Sequence, residues 1–211
     1  MKISGGMQER GVEVGNAYDK YGSKNPVVHG IMKGFTDTLS CLVAKAAPQT
    51  IHEIGCGEGY WVLTWSQQGI KARGSDFSEK VIDLARQNAQ EQDIHHAVFA
   101  THSIYDLELE RDTADLIVCC EVLEHLENPE AGLAALQRVA TNYVILSVPR
   151  EPIWCLLNMA RGKYLSNFGN TPGHIQHWST EKFVNLVRRY FEVVELKTPM
   201  PWTMLLCRLK C

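Results

Sequence analysis

The chain has no long hydrophobic run and no excess of positive charge. Its apolar runs, such as "DLIVCC" and "YVILSV", are far shorter than the roughly 20 residues needed to cross a bilayer. A formal net charge of −3 gives no basic field for broad binding to a nucleic-acid backbone. These absences argue against a transmembrane protein and make nucleic acid an unfavoured partner, while leaving a local nucleic-acid site open.

Paired cysteines are also absent. None of the seven cysteines forms the C-x-x-C pair of a zinc or redox motif. The start, "MKISGGMQERG", lacks the apolar run of a secretory signal, so we expect a reducing, cytoplasmic location. Cys119 and Cys120 are adjacent in a predicted buried strand. We therefore interpret the cysteines as packing or spectator thiols.

No internal repeat divides the chain. Its 211 residues, 45% hydrophobic and 21% charged, are typical of one globular domain with a sizeable core. We predict a single domain over 1–211.

From about residue 48, short β-rich runs alternate with helical patterns, which is typical of parallel strands joined by crossover helices. The predicted α/β sheet has strands at "TIHEIG", "KARGSD", "AVFATH", "DLIVCCE" and "NYVILSVP". Two late runs, "FEVVELKTP" and "WTMLLCRLK", are joined by a short proline-containing link and predict an antiparallel hairpin at the sheet edge.

Helices are predicted between these strands, and their ends carry recognisable signals. Gly69 suits a left-handed stop, Ser78 suits an N-cap, and Asn128 followed by Pro129 suits a helix start. The segment 1–47 is predicted to be helical and accessory. The predicted helices are Tyr60 to Gln68, Glu79 to Gln90 and Pro129 to Val139.

Three closely spaced glycines follow the first long strand, in "EIGCGEG" from Glu53 to Gly59. Glycine at this density is costly unless the backbone needs special angles or a close approach. The spacing is GxGxG, which is neither the GxGxxG of dinucleotide sites nor a GxxxxGK[ST] phosphate loop. Asp76 lies 21 residues beyond Gly55, at the end of the next strand, where a carboxylate can accept ribose hydroxyls. The pattern predicts a ligand that contains ribose.

Together with the post-strand "CCEVLEHL", these residues resemble the class I S-adenosylmethionine-dependent methyltransferases over nearly the whole chain. The resemblance implies a Rossmann-like fold with helices on both faces, and S-adenosylmethionine as cofactor. Many relatives have an acid where Ser103 stands. The cofactor contacts that the resemblance implies are Tyr21, Glu53, Gly55, Cys56, Gly57, Asp76, Phe77, Ser103, Ile104 and Glu121.

Two histidine-containing stretches, "EVLEHL" and "GHIQHW", follow the fourth and fifth strands. Because the carboxyl ends of parallel strands share one edge, His125, His174 and His177 are candidate general bases there. In chain order, the set also resembles small-RNA 3'-terminal 2'-O-methyltransferases and some quinone-biosynthesis O-methyltransferases. The first of these resemblances implies a Mg²⁺ or Mn²⁺ site at Glu121, Glu124, His125 and His174. A bracing role for these side chains is the alternative interpretation.

A long insertion from Pro149 to Trp178 follows the fifth strand and is interpreted as a substrate cover over 149–178. Its apolar stripe, with Arg161 and Lys163 behind it, suits an apolar acceptor with a negative group, or else packs on the core. The N-terminal segment resembles the family's leading helices, which close over the cofactor.

These patterns predict an enzyme that methylates a small-molecule acceptor, with oxygen favoured over nitrogen or sulfur as the methylated atom. Metal-assisted 2'-O-methylation of an RNA 3' end is the first alternative, and a non-catalytic cofactor-binding module is the second.

Overall fold

A seven-stranded sheet forms the centre of the protein, as seen in a computed structural model that describes residues 1–9 and 12–210. A separate small hairpin precedes the sheet. The strands in chain order are β1 (Gln8–Glu9), β2 (Val12–Glu13), β3 (Thr50–Ile54), β4 (Lys71–Asp76), β5 (Val98–Thr101), β6 (Ala114–Cys120), β7 (Ala140–Pro149), β8 (Phe191–Lys197) and β9 (Trp202–Leu209).

The sheet order is β5-β4-β3-β6-β7-β9-β8. The first five strands are parallel, and β9 pairs antiparallel with both β7 and β8. The predicted mostly parallel sheet with a C-terminal antiparallel hairpin is therefore confirmed. The chain runs outward from β3 in one direction and from β6 in the other, so the carboxyl ends of β3 and β6 flank the crevice in which such sheets bind ligands.

The helices begin and end close to the sequence signals. The Ser78 hydroxyl accepts a hydrogen bond from the Val81 amide, the Asn128 side chain accepts one from Ala131, and Gly69 has a φ of +83°. These three predicted helix ends are confirmed. The helices are α1 (Pro26–Ala46), α2 (Tyr60–Gln67), α3 (Glu79–Glu91), α4 (Leu109–Asp112), α5 (Pro129–Val139), α6 (Ile153–Ala160) and α7 (Thr180–Val187).

The prediction of a helical segment over 1–47 is wrong for its first half. Helix α1 starts only at Pro26, where Asn25 caps it through the amides of Val27 and Val28. The described residues before Asn25 form the small β1–β2 hairpin, turns and irregular chain. The sequence signals in this half are two Gly-containing stretches, "SGG" and "EVGN", which favour turns over a helix.

Apolar side chains fill both faces of the sheet. Residues of α1, α2 and α3 pack with Ile51 and Val118 on one face, and residues of α5 and α7 pack with Ile54 and Ile117 on the other. Helices on both faces are thus confirmed. Six cysteines are free thiols, Cys41 being the exposed one, and Cys211 lies outside the described residues. Within the described chain, every helix is too short or too polar to cross a membrane.

The 149–178 insertion contains α6 and then an irregular loop with a short 3₁₀ turn at Leu165–Asn167. Its apolar residues are only partly covered: Leu156, Leu165 and Ile175 are more than half exposed, and Phe168 is 82% exposed. Trp154 does pack beside the core. Packing on the core is therefore found for Trp154, and the substrate cover over 149–178 stays a prediction.

A buried polar cluster around His52 of β3 and Ser75 of β4 makes the stability of the fold sensitive to low pH. His52 is 1% exposed, its Nδ1 donates to the Asp112 carbonyl (3.0 Å), and its Nε2 accepts from the Ser75 hydroxyl (3.0 Å). Burial lowers the pKa of His52 to about 4. An unfolded histidine takes up a proton near pH 6.5.

We expect the free energy of unfolding to fall by about 3 kcal/mol through His52 as the pH falls from about 6.5 to about 4. Over this interval the histidine is protonated in the unfolded chain but still neutral in the folded protein. Urea unfolding of the protein and of His52→Gln at pH 7 and pH 4.5 measures it. The variant should lose less stability over this interval than the parent. An equal loss in both proteins would contradict the assignment to His52.

Candidate active site

Packing within the protein itself already requires glycines in the loop between β3 and α2. Gly55, Gly57 and Gly59 all have positive φ, of 76°, 51° and 84°. A Cβ on Gly55 would overlap the Val122 side chain, and one on Gly59 would lie 2.8 Å from the Phe99 ring. At Gly57 the nearest atom would be the Gly15 Cα, at 3.9 Å. At Gly55 and Gly59, neighbouring side chains therefore occupy the space that a Cβ would need. Of the three glycines, only Gly57 has space for a Cβ.

Asp76 joins the glycine loop to the end of β4. Its Oδ2 accepts from the Gly57 amide (3.1 Å) and its Oδ1 from the Ser78 amide (3.0 Å). Burial raises the pKa of Asp76 to about 6, and these two amides oppose that shift. Each carboxylate oxygen keeps a second lone pair for another donor. The predicted ribose acid is thus held rigidly at the crevice.

Glu53 places an unpaired acceptor behind the glycines. The side chain is buried, and its Oε2 has no hydrogen-bond partner among the described residues. Burial raises the pKa of Glu53 well above its ordinary value. An unpaired buried acceptor costs free energy, so this oxygen is suited to a ligand donor.

Two further predicted contacts near the glycines are turned partly inward. Tyr21 stacks on Tyr60, with ring centroids 3.7 Å apart, and its hydroxyl accepts from the Trp61 indole (3.0 Å). Cys56 is buried, with its sulfur packed so close to Gly74 that no Cβ fits there. The Cys56 backbone is also engaged, since its amide donates to the Ser75 carbonyl (3.0 Å) and its carbonyl accepts from the Gly59 amide (3.0 Å).

The predicted adenine edge is a short turn after β5. The Ser103 hydroxyl caps the 3₁₀ turn Ile104–Asp106 by accepting from the Tyr105 amide (3.3 Å), and Ile104 is buried. Phe77, directly after Asp76, is 41% exposed. These residues supply an apolar edge, and the Ser103 side chain is already used by its own turn.

Glu121 is held by the sheet. It follows β6 with a φ of +60°, its Oε1 accepts from the Ser147 hydroxyl (2.9 Å) and its Oε2 from the Trp202 indole (2.6 Å). Burial raises the pKa of Glu121 to about 7. Since both oxygens already have donors, Glu121 is positioned as a brace for the crevice, apart from the histidine cluster.

Glu124, His125 and His174 come together at the carboxyl edge of the sheet. One ligand-type atom from each lies within 4.8 Å of the others. Glu124 is 1% exposed, and neither of its carboxylate oxygens has a hydrogen-bond partner in the described structure. Burial, with Glu121 nearby, raises the pKa of Glu124 well above its ordinary value. This carboxyl is an acceptor without a donor.

The two histidines present unprotonated nitrogens. The Nδ1 of His125 donates to the Gly173 carbonyl (2.9 Å), which leaves the Nε2 lone pair free in the neutral ring. Burial, with His125 and His177 nearby, lowers the pKa of His174 to about 3, so it is neutral at pH 7. The rings meet edge to face at 4.8 Å. Both are able to act as ligands or bases.

The insertion brings His174 to this position. The amides of Ile175 and Gln176 donate to the Glu124 carbonyl (2.9 and 3.0 Å), and Trp154 of α6 stacks on the His174 ring (5.7 Å). His177 instead faces Glu151, with Nδ1 3.5 Å from Oε1. Of the three predicted bases, two share the cluster and His177 lies outside it.

A family model described as a methyltransferase domain matches residues 52–146. This stretch runs from β3 to β7 and contains the glycine loop, Asp76 and Glu124. This match covers less than half of the chain and, with the observed fold, supports a class I S-adenosylmethionine-dependent methyltransferase. The fold and the predicted family resemblance are thereby confirmed.

Curated proteins similar to this chain match it over part of their length. The ubiquinone biosynthesis O-methyltransferase of Azoarcus sp. (strain BH72) is 29% identical over 94 residues, which is 44% of this chain and 40% of that protein. The protein of the same description from Hahella chejuensis is 30% identical over 107 residues, or 50% and 43%. The chain spans less than half the length of these relatives.

Solved structures match over more of the fold. Magnesium protoporphyrin IX methyltransferase from Synechocystis PCC 6803 with bound SAH has a TM-score of 0.69 at 22% identity, covering 90% of each chain. The methyltransferase domain of bacterial CtHen1 has a TM-score of 0.64 at 19% identity, covering 85% of this chain and all of that one. At this identity the likeness establishes the fold.

The sequence analysis missed the partners that position the residues of this candidate site. Ser147 and Trp202 donate hydrogen bonds to Glu121, and the Trp154 indole donates to the Thr171 hydroxyl (2.9 Å). Trp202 lies on β9, 81 residues from Glu121, and no local pattern marks such a pairing. The sequence analysis also did not single out Glu58, whose hydrogen bonds come from the N-terminal segment.

Proposed function

We propose that this chain transfers a methyl group from S-adenosylmethionine to an oxygen of a small-molecule acceptor, with a divalent cation held by Glu124, His125 and His174. The observation that carries the proposal is the group of buried, unpaired carboxylate oxygens of Glu53 and Glu124 along one crevice. Buried acceptors are normally satisfied, so both residues fit partners that bring positive charge or donors.

The cofactor part of the proposal is supported by geometry around the glycine loop. Asp76 lies at the end of β4 with lone pairs left for two ribose hydroxyls. Glu53 offers Oε2 for the amino end of the cofactor, directly or through water. S-adenosylmethionine supplies a methyl group already activated by its sulfonium. The protein's main task is then to align the acceptor oxygen with that methyl. In well-oriented systems, alignment lowers the reaction barrier by roughly 7 to 11 kcal/mol.

The cation part is supported by the donor set. Two neutral imidazoles and one carboxylate are within reach of one ion, and the Glu124 oxygens have no competing donor. Because imidazole suits transition metals and Glu121 is engaged elsewhere, this set favours Mn²⁺ or Zn²⁺ over Mg²⁺. A bound cation there would orient an acceptor hydroxyl and lower its pKa. If no cation binds, the free His125 Nε2 is the base.

The acceptor side is apolar and aromatic. Trp154 and His174 stack at the crevice, and the neighbouring insertion leaves Leu165 and Phe168 largely exposed. From Pro152 to Thr180 the chain contains no acidic residue and two cations, Arg161 and Lys163. These features favour an apolar acceptor of low molecular weight that carries a hydroxyl and a neutral or negative group.

The deciding experiment begins with calorimetric titration of S-adenosylhomocysteine into the full chain. Chelator-treated protein is then titrated with Mn²⁺, Zn²⁺ and Mg²⁺ in the presence of that nucleoside. We expect one-to-one binding of nucleoside, followed by one cation. Absence of nucleoside binding would overturn the function itself, and nucleoside binding without a cation would overturn only the metal assignment.

Turnover is then measured with a labelled methyl group over a panel of phenols, catechols, aliphatic hydroxy acids, amines and short RNA. We expect transfer to the hydroxylated small molecules, reduced by chelator. Transfer confined to RNA ends, with salt-sensitive affinity, would replace the small-molecule assignment by the RNA alternative. Nucleoside binding without turnover on every acceptor would favour the non-catalytic module.

A further inference from the structure

The first residues of the chain lie across the glycine loop and are tied to it by a buried acid. Residues 1–9 and 12–22 are called the N-terminal strap below. Glu58, at the end of the glycine loop, is 1% exposed. Its Oε1 accepts from the amides of Ser4 (2.9 Å) and Asn16 (2.7 Å), and its Oε2 accepts from the Asn16 side chain (2.6 Å). One carboxylate therefore fastens two points of the strap.

The strap approaches the loop too closely for a side chain to intervene. Gly15 has a φ of +65°, and a Cβ there would overlap Glu58 Oε1 and lie 2.8 Å from the Ser4 hydroxyl oxygen. The Gly15 Cα is also the nearest atom to the Cβ position of Gly57. The strap thus rests on the one glycine that has room on its surface.

Further contacts join the strap to Ser78 after β4, to α3 and to α2. Glu9 accepts from the Ser78 hydroxyl (2.6 Å), two residues after Asp76. The Lys2 amide donates to buried Asn88 (2.7 Å), and the Asn88 side chain donates in turn to the Glu58 carbonyl (3.0 Å). At its other end, Tyr21 stacks on Tyr60. The strap spans from the predicted ribose acid to the first turn of α2.

We propose that Glu58 is a positioning residue for cofactor binding, which holds the N-terminal strap closed over the glycine loop and retains the nucleoside. The inference rests on the proposed cofactor site. Burial opposes ionisation of Glu58, but the amides of Asn16 and Ser4 and other hydrogen bonds outweigh it, so the pKa of Glu58 is lowered and the side chain is charged at pH 7. Hydrogen bonds to a charged carboxylate are stronger than those between neutral groups, so the three donors hold the strap firmly.

The chain offers a matched pair of glycines to test this. Gly15→Ala forces a methyl against Glu58 and displaces the strap without altering any residue of the glycine loop. Gly5→Ala is the control, since Gly5 has a similar φ of +62° in the same strap but nothing within 4 Å of a new Cβ. We expect Gly15→Ala to weaken binding of S-adenosylhomocysteine at least tenfold with faster dissociation, and Gly5→Ala to change affinity less than threefold.

A second pair tests Glu58 itself. Glu58→Ala removes all three hydrogen bonds and should raise the KM for S-adenosylmethionine tenfold or more while kcat changes little. Glu58→Gln should recover most of the affinity, because one amide oxygen can still accept from both Ser4 and Asn16. If Glu58 had a purely structural role, Gly15→Ala and Glu58→Ala would lower stability without raising the KM for S-adenosylmethionine selectively over kcat.

Wild-type binding of S-adenosylhomocysteine separates failure of this inference from failure of the proposed function. If the parent binds and Gly15→Ala and Glu58→Ala bind equally well, with unchanged dissociation rates, the strap does not retain the cofactor. If Glu58→Ala does not fold, Asn16→Ala, which removes only the side-chain donor, should still speed dissociation. An unchanged rate in Asn16→Ala would then overturn the inference.

Discussion

Replacement of Asp76 by alanine will weaken binding of S-adenosylhomocysteine by at least tenfold, which corresponds to about 1.4 kcal/mol or more. Two effects combine. The variant lacks the carboxylate that we propose accepts the ribose hydroxyls, and it also releases the Gly57 and Ser78 amides that Asp76 holds. Calorimetric titration of the nucleoside measures the loss.

Asp83→Ala is the control for this change. Asp83 is an exposed acid on α3, paired with Arg86 on the surface, and its removal alters net charge by the same amount. Its affinity for the nucleoside should equal that of the parent. Equal binding by Asp76→Ala and the parent would show that Asp76 does not hold the ribose.

Replacement of Glu124 by glutamine will abolish any cation dependence and reduce methyl transfer by about 10²-fold or more, within the range of a positioned acid–base group. Affinity for S-adenosylhomocysteine should stay within threefold, because the proposed contacts of Glu53, Asp76 and the turn after β5 do not involve Glu124. Cation titration and labelled-methyl turnover, with and without chelator, measure the two effects.

Stability distinguishes a functional Glu124 from a brace. Neither oxygen has a donor and burial raises its pKa, so ionisation of Glu124 costs stability once the pH exceeds the ordinary carboxyl pKa. We expect Glu124→Gln to be at least as stable as the parent at pH 8 in urea unfolding. The exposed acid Glu127, three residues later, provides the control variant Glu127→Gln, which should leave turnover unchanged. Unfolding of Glu124→Gln would instead identify a structural brace.

Local chemistry explains why so much of the fold was predictable. Strand runs such as "TIHEI" and "YVILSV" are apolar and β-branched, and Ser78 and Asn128 cap helices through their own side chains within three residues. Glycines with positive φ likewise report a requirement of the backbone at that point. The N-terminal half of 1–47 was predicted wrongly because its structure comes from contacts with Glu58, Ser78 and Asn88 rather than from a periodic pattern.

Sequence patterns predicted the parallel sheet, the position of the crevice, and the candidates Glu53, Asp76, Glu124 and His174. Each of these residues lies at or after the carboxyl end of a parallel strand, and those ends meet at one edge. Which of the candidate side chains remain free to bind a ligand depends on the three-dimensional fold. Glu121 is taken by Ser147 and Trp202, His177 turns to Glu151, and Glu124 is left without a donor. Hydrogen-bond partners 26 to 81 residues away leave no local trace in a sequence, because they depend on how strands and loops meet in space.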